Sequence, residues 1–242
     1  TGYDHIDRKA AKKQGGVVTN IPAYSTPGVA QITFALILEI FSKARLHSDC
    51  VKKGMWTACD DFCFRTSPLT LLEGRTLGLM GFGQIAKAVA KIALGFDMKV
   101  IACSRSGFFY DGVTPVTKEE LFRRADILSL HVPLTDETKE IINKNTIKTM
   151  KHGAVIINTA RGRLINESDL AAALGSGKLF GAGLDVLSNE PPKADNPLLS
   201  QPNCIITPHI GWASLDSRKK LMDIAVNNLQ AFVQGEPVNT VL

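Results

Sequence analysis

The sequence predicts an α/β fold built on a doubly wound parallel sheet. Three observations carry the prediction. From residue 71 onward, short apolar runs alternate with segments of helical periodicity, the rhythm of strands joined by crossover helices. The strand runs, such as Ala154-Val155-Ile156-Ile157-Asn158, are apolar on both faces, as strands covered by helices on both sides are. Finally, Thr76-Leu77-Gly78-Leu79-Met80 climbs into Gly81-Phe82-Gly83-Gln84-Ile85-Ala86 and then into an apolar helical stretch. That succession is strand, tight glycine turn and helix.

Composition narrows the function classes. The length of 242 residues allows one large domain or two small ones, and 45% hydrophobic with 21% charged residues is an ordinary globular mixture. Residues 32–41 are the most apolar stretch, but Glu39 and polar flanks make it a buried helix, so no membrane partner is expected. No signal peptide is read, and the chain starts at Thr1. The five cysteines are scattered, and Cys59 and Cys63 lack the further ligands of a zinc site. No metal is expected, and a reducing, cytoplasmic compartment is. Net charge is +5, but Lys12-Lys13, Lys52-Lys53, Arg123-Arg124 and Arg218-Lys219-Lys220 lie far apart. They read as solvated helix faces, which argues against nucleic acid and suits a small anionic substrate.

The elements follow in order. Residues 9–15 read as a short helix closed by Gly15-Gly16, and residues 17–21 as a short strand ended by Pro22. Ser25-Thr26-Pro27 reads as an N-cap with proline in the first turn, opening a helix over about residues 29–44, apolar on most faces and buried between two domains. Residues 47–72 are aromatic-spotted and irregular, the composition of a subunit contact. Strands then read at residues 76–80, 99–103, 127–131, 154–158, 181–186 and 204–207. Helices read at residues 84–96, 118–124, 144–150 and 167–175, with a final helix over about 214–234.

Parallel sheets of this kind bind ligands at the carboxyl ends of their strands. After the first strand, Gly81 permits the sharp turn, Gly83 lets a pyrophosphate approach the backbone, and small Ala86 lets the helix sit close. The helix N-terminus at Gln84 and Ile85 offers N–H groups to phosphates. After the second strand, Ser104-Arg105-Ser106 stands where an NAD enzyme carries Asp or Glu; the nearest acids are Asp97 and Asp111. Hydroxyls and a guanidinium suit a 2′-phosphate, so NADP(H) is favoured over NAD(H). His131-Val132-Pro133 is an apolar, bent loop suited to walling off adenine, with His131 more structural than catalytic. Later strand ends bring Thr159-Ala160-Arg161-Gly162-Arg163, then Asp185 through Glu190, then Thr207-Pro208-His209-Ile210-Gly211. Spacing alone does not say which arginine faces the crevice. A cation, an acid and an imidazole on one sheet edge can reduce a 2-oxo acid beside a nicotinamide.

The chain resembles the D-isomer-specific 2-hydroxyacid dehydrogenases. The resemblance rests on Gly81–Ala86, His131-Val132-Pro133-Leu134-Thr135, Ile157–Gly162, Gly183-Leu184-Asp185-Val186 through Glu190-Pro191, and Thr207–Gly211, in family order over nearly the whole chain. Val18–Ser25 and Asp61-Phe62-Cys63-Phe64 are most similar to the glycerate dehydrogenase, or hydroxypyruvate reductase, branch. The resemblance implies a Rossmann-type NAD(P)-binding domain over residues 27–212. It also implies an incomplete flavodoxin-like substrate domain, with residues 1–26 as its remnant and residues 213–242 returning to it. Arg161 would bind the substrate carboxylate, His209 would be the acid–base paired with Glu190, and Asp185 would hold the nicotinamide carboxamide. Gly2, with His209 and Arg161, would touch substrate. Thr159, Ala160, His209 and Gly211 would line the cofactor, and a homodimer would form through residues 29–72. The family's early strands before Gly2 are missing, so an apolar face is expected to be exposed. A nucleotide-sensing corepressor of the same fold, or an inactive remnant, are the rival readings.

Overall fold

The computed structural model describes residues 1–3 and 5–241. Among them seven strands form one sheet: β1 (Thr76–Met80), β2 (Lys99–Cys103), β3 (Val113–Pro115), β4 (Ile127–Leu130), β5 (Ala154–Asn158), β6 (Leu179–Leu184) and β7 (Cys204–Ile206). The spatial order is β3-β2-β1-β4-β5-β6-β7 and every pairing is parallel. The order reverses between β1 and β4, which places a crevice above their carboxyl ends.

Helices α1 (Arg8–Lys13), α2 (Thr26–Ser42), α3 (Ala44–Lys52), α4 (Gln84–Gly95), α5 (Lys118–Arg124), α6 (Lys144–Thr149), α7 (Glu167–Gly175) and α8 (Leu215–Val233) complete the chain. Alternation along the strands divides the core in two, as a period of two demands. Leu77, Leu79, Val100, Ala102, Val155 and Ile157 join α2 and α4 on one face. Ile101, Leu128, Leu130, Ile156 and Leu184 join α5, α6 and α7 on the other.

Several elements differ from the sequence expectation. Residues 17–21 form no strand ladder. Thr19 makes one antiparallel bridge to Thr240, flanked by Asn20 N–H to Asn239 O (3.0 Å) and Val241 N–H to Val18 O (3.0 Å). The β-branched run finds only the chain's last residues to pair with. Residues 47–72 are not irregular throughout, because α3 occupies the start. Lys43 turns the chain there with a left-handed φ of 48°. No α3 residue is buried. Helix α2 buries Val29, Phe34, Leu36, Ile37 and Ile40 against the sheet itself. Its Leu36 Cβ lies 2.8 Å from where a Cβ on Gly183 would stand. Strand β3 went unread because it is three residues ending in Pro115, a composition tolerated at a sheet edge. Strand β6 begins and ends two residues early, so Asp185 and Val186 belong to the loop beyond it.

Helix α8 runs back toward the amino-terminal segment. Asn228, 5% exposed, donates to Asn20 O (2.9 Å) and accepts from Asn239 Nδ2 (2.8 Å). Its apolar residues Leu229 and Val233 stand 63% and 76% exposed.

Candidate functional site

Because the strands are parallel, the segments that follow β1, β2, β4, β5, β6 and β7 share one edge of the sheet. Every residue singled out from the sequence after a strand sits on that edge. The glycine turn is built tightly. Gly81 has φ +90°, and an added Cβ would stand 2.4 Å from the His131 carbonyl oxygen and 3.0 Å from Val132 Cγ1. Gly81 N–H donates to Cys103 O (2.9 Å), and His131 N–H to Met80 O (2.7 Å), so three strand ends are tied together. Gly83 is the N-cap of α4, with open space around its missing side chain. Lys87 is the first residue whose N–H finds a helical acceptor, Gly83 O at 3.0 Å. The N–H groups of Gln84, Ile85 and Ala86 therefore point out of the helix end, and Ala86 is fully buried beneath them. This cradle fits a dinucleotide pyrophosphate.

Phe82 fixes the neighbouring loop. Its ring packs 4.1 Å from that of Phe108 and 5.6 Å from that of Tyr110. In that loop Ser104 Oγ and Ser106 Oγ lie 3.4 Å apart, and Arg105 is exposed. Pro133 O accepts from Thr138 Oγ1 (2.7 Å), which shapes the bend after His131.

His131 bonds through Nε2 to Ser129 Oγ (2.9 Å), and burial pushes its pKa down to about 4. The folded state therefore resists the proton that the unfolded chain accepts near the ordinary value of 6.5. Stability from this group is complete above pH 6.5, falls as pH drops toward 4 and levels off below that. At pH 4.5 the loss is about 2–3 kcal/mol. Denaturant unfolding at pH 7 and 4.5 should show a shallower decline for His131→Gln than for the natural chain; equal declines would discard the assignment.

The β5 turn is organised by Asn158, which is fully buried. Its Nδ2 donates to Arg161 O (2.8 Å) and its Oδ1 accepts from Ala160 N–H (3.0 Å). Arg161 Nη1 donates to Ala160 O (2.7 Å), and Thr159 Oγ1 meets Thr33 Oγ1 of α2 at 3.1 Å. Arg161 is half-buried whereas Arg163 is exposed, so the two arginines that spacing left equivalent differ in burial. The amino group of Thr1 has a pKa lowered by burial and then by the charge of Arg161. Arg161 thus lies within electrostatic reach of the segment that carries Gly2.

His209 and Glu190 meet directly, Nδ1 to Oε2, at 2.6 Å. Both are about two-fifths exposed, at 42% and 39% of their side chains, so the pair opens to solvent. Glu190 is held by Leu187 N–H on Oε1 (3.0 Å). His209 sits at a left-handed φ of 53°, and Asp185 keeps its loop in place. The Asp185 carboxylate, 2% exposed, accepts from Thr207 Oγ1 (2.6 Å), Ile210 N–H (2.9 Å) and Gly211 N–H (2.8 Å). Among the described residues Asp185 Oδ2 accepts only the Gly211 N–H, one bond for its two lone pairs.

Sequence reading missed two contributors. Glu167 appeared only as the first residue of a helix, and Gly162 only as part of a motif. Neither carries a signal of chemistry in sequence, since each acts on a loop some twenty or more residues away. A Cβ on Gly162 would lie 1.9 Å from Leu187 C. Among the described residues no group of His, Cys, Asp and Glu could hold a metal ion, and no helix is long and apolar enough to cross a membrane.

Comparison with known proteins agrees with this geometry. Residues 34–211 match the model of the D-isomer specific 2-hydroxyacid dehydrogenase NAD-binding domain. A hydroxypyruvate reductase of Blautia hydrogenotrophica is 48% identical over 244 residues, all of this chain and 76% of that protein. An acyclic imino acid reductase solved with NADPH and D-Arg superposes with a TM-score of 0.89 at 34% identity, over 100% of this chain and 76% of that one. A D-lactate dehydrogenase of Aquifex aeolicus, solved with NAD and lactic acid, gives a TM-score of 0.87 at 36% identity, over 97% and 74%. With a parallel sheet, a glycine cradle and the matched domain in agreement, the chain belongs to the D-isomer specific 2-hydroxyacid dehydrogenase family.

Proposed function

We propose that this chain interconverts a 2-oxo acid and a D-2-hydroxy acid with NAD(P), and that hydroxypyruvate or glyoxylate is the oxo acid. The observation that carries the reading is the 2.6 Å contact of His209 and Glu190 on the same sheet edge as the Gly81–Gly83 cradle. A nicotinamide held there supplies the hydride. Arg161 presents a planar fork that suits a carboxylate and orients it. Glu190 occupies Nδ1 of His209, which leaves Nε2 to face substrate. As imidazolium, His209 gives the Nε2 proton to the carbonyl oxygen as negative charge develops. Glu190 offsets the ring's positive charge and fixes its orientation. Gly2 contributes a backbone amide to the substrate carboxylate, and the remaining acceptor capacity of Asp185 suits a nicotinamide carboxamide. The exposed Trp56, Phe62 and Leu71 support a homodimer through residues 29–72.

For the cofactor we favour NADP(H), on the strength of Ser104, Arg105 and Ser106 and the lack of an acid among them. The test follows oxidation of NADPH and NADH with hydroxypyruvate, glyoxylate and pyruvate. The chain should turn over hydroxypyruvate or glyoxylate faster than pyruvate; no turnover with any oxo acid would defeat the reading. Arg105→Ala should weaken NADPH binding about tenfold or more, the loss of a charged hydrogen bond, with NADH binding changed less than about twofold. Equal losses would remove the NADP preference.

A further inference from the structure

Glu167 stands outside the chemistry described so far, yet its carboxylate is the hub of the loop that carries Glu190. Oε1 accepts from Ser188 N–H (2.7 Å), and Oε2 from Ser188 Oγ (2.8 Å) and Asn196 Nδ2 (2.8 Å). The loop's ends are anchored separately, because Leu187 and Leu198 are 7% and 1% exposed in the core that α7 also joins. Between those anchors, residues 189–195 are largely exposed, and apolar packing does not define their path. The Ser188 amide lies two residues before Glu190. Leu187, the residue before it, gives its own amide to Glu190 Oε1 at 3.0 Å. On the other side, Gly162 lets the 187–188 backbone rest against the Arg161 turn. A charged acceptor with three donors makes a stronger clamp than neutral hydrogen bonds would.

We propose that Glu167 is a positioning residue for the reaction: by clamping Ser188 and Asn196 it sets the height and direction of Glu190, and so the orientation of the His209 ring. The inference rests on the reading of His209 and Glu190 as the acid–base pair. Glu167 touches no reacting atom, so its loss should act on kcat and leave the KM values for cofactor and oxo acid within about twofold. Glu167→Ala should lower kcat about tenfold or more, and Glu167→Gln, which keeps one acceptor for the Ser188 amide, should recover much of it.

The deciding experiment is a double-mutant cycle with Glu190→Gln, together with hydrogen exchange of the Ser188 amide in the protein without ligands. If Glu167 acts through Glu190, Glu167→Ala lowers kcat in the natural background and has little further effect in the Glu190→Gln background. Exchange of the Ser188 amide should rise about tenfold in Glu167→Ala and stay unchanged in Glu190→Gln. Additive losses, or unchanged exchange, overturn the positioning role while leaving the acid–base pair intact. Equal loss in Glu167→Gln and Glu167→Ala, accompanied by a raised KM, also overturns it. If Glu190→Gln leaves kcat unaltered, the acid–base pairing itself falls, and the role of Glu167 in the reaction falls with it.

Discussion

Replacing His209 by alanine is expected to lower kcat for oxo-acid reduction by roughly 10²–10⁴-fold, the contribution of a positioned general acid. Cofactor affinity should stay within about threefold, because the proposed pyrophosphate cradle is Gly81, Gly83 and the start of α4. The two effects separate because the His209 loop and the cradle are held by different bonds. Asp185 grips Thr207, Ile210 and Gly211, whereas the glycine turn is tied to Cys103 and His131. Steady-state kinetics and fluorescence titration of NADPH check both halves. A variant retaining a tenth of the natural kcat would show that another group delivers the proton.

Gly162→Ala is expected to destabilise the protein by about 3 kcal/mol, toward the upper end for overpacking. The neighbours are backbone atoms, Leu187 C at 1.9 Å, Leu187 O at 2.0 Å and Ser188 N at 2.4 Å, and no rotamer change relieves them. Only displacement of the Arg161 turn from the Glu190 loop can, so kcat should fall together with stability. Gly95→Ala, where nothing lies within 4 Å, serves as the control. It sits at the last position of α4, and there alanine should be neutral or slightly stabilising. A urea midpoint for Gly162→Ala equal to that of the natural chain would mean that the two loops separate at no cost.

By itself the sequence determined a parallel sheet between helices and six of its seven strands, β3 excepted, and the strand ends at which to look for ligands. Those features are local. Apolar runs with period two or without alternation, helical periodicity and a glycine turn between them are written in neighbouring residues. The start of α5 was legible for the same reason, since its capping box, Thr117 with Glu120, spans three residues. The family likeness added which positions on that edge to compare, including His209 and Glu190.

What only the tertiary structure decided lies between residues distant in sequence. The contact of His209 with Glu190 closes a separation of 19 residues, that of Ser188 with Glu167 one of 21, and that of Asp185 with Gly211 one of 26. Whether residues 17–21 made a strand depended on a partner more than two hundred residues on, and the partner was a single bridge. Arg161 and Arg163 are equivalent in spacing, and burial alone separates them, because Asn158 closes the turn around the first. Glu167 has no local signature at all. A carboxylate in the first turn of a helix is explained by the helix dipole, and its second use becomes visible only when the loop that it holds is folded against it.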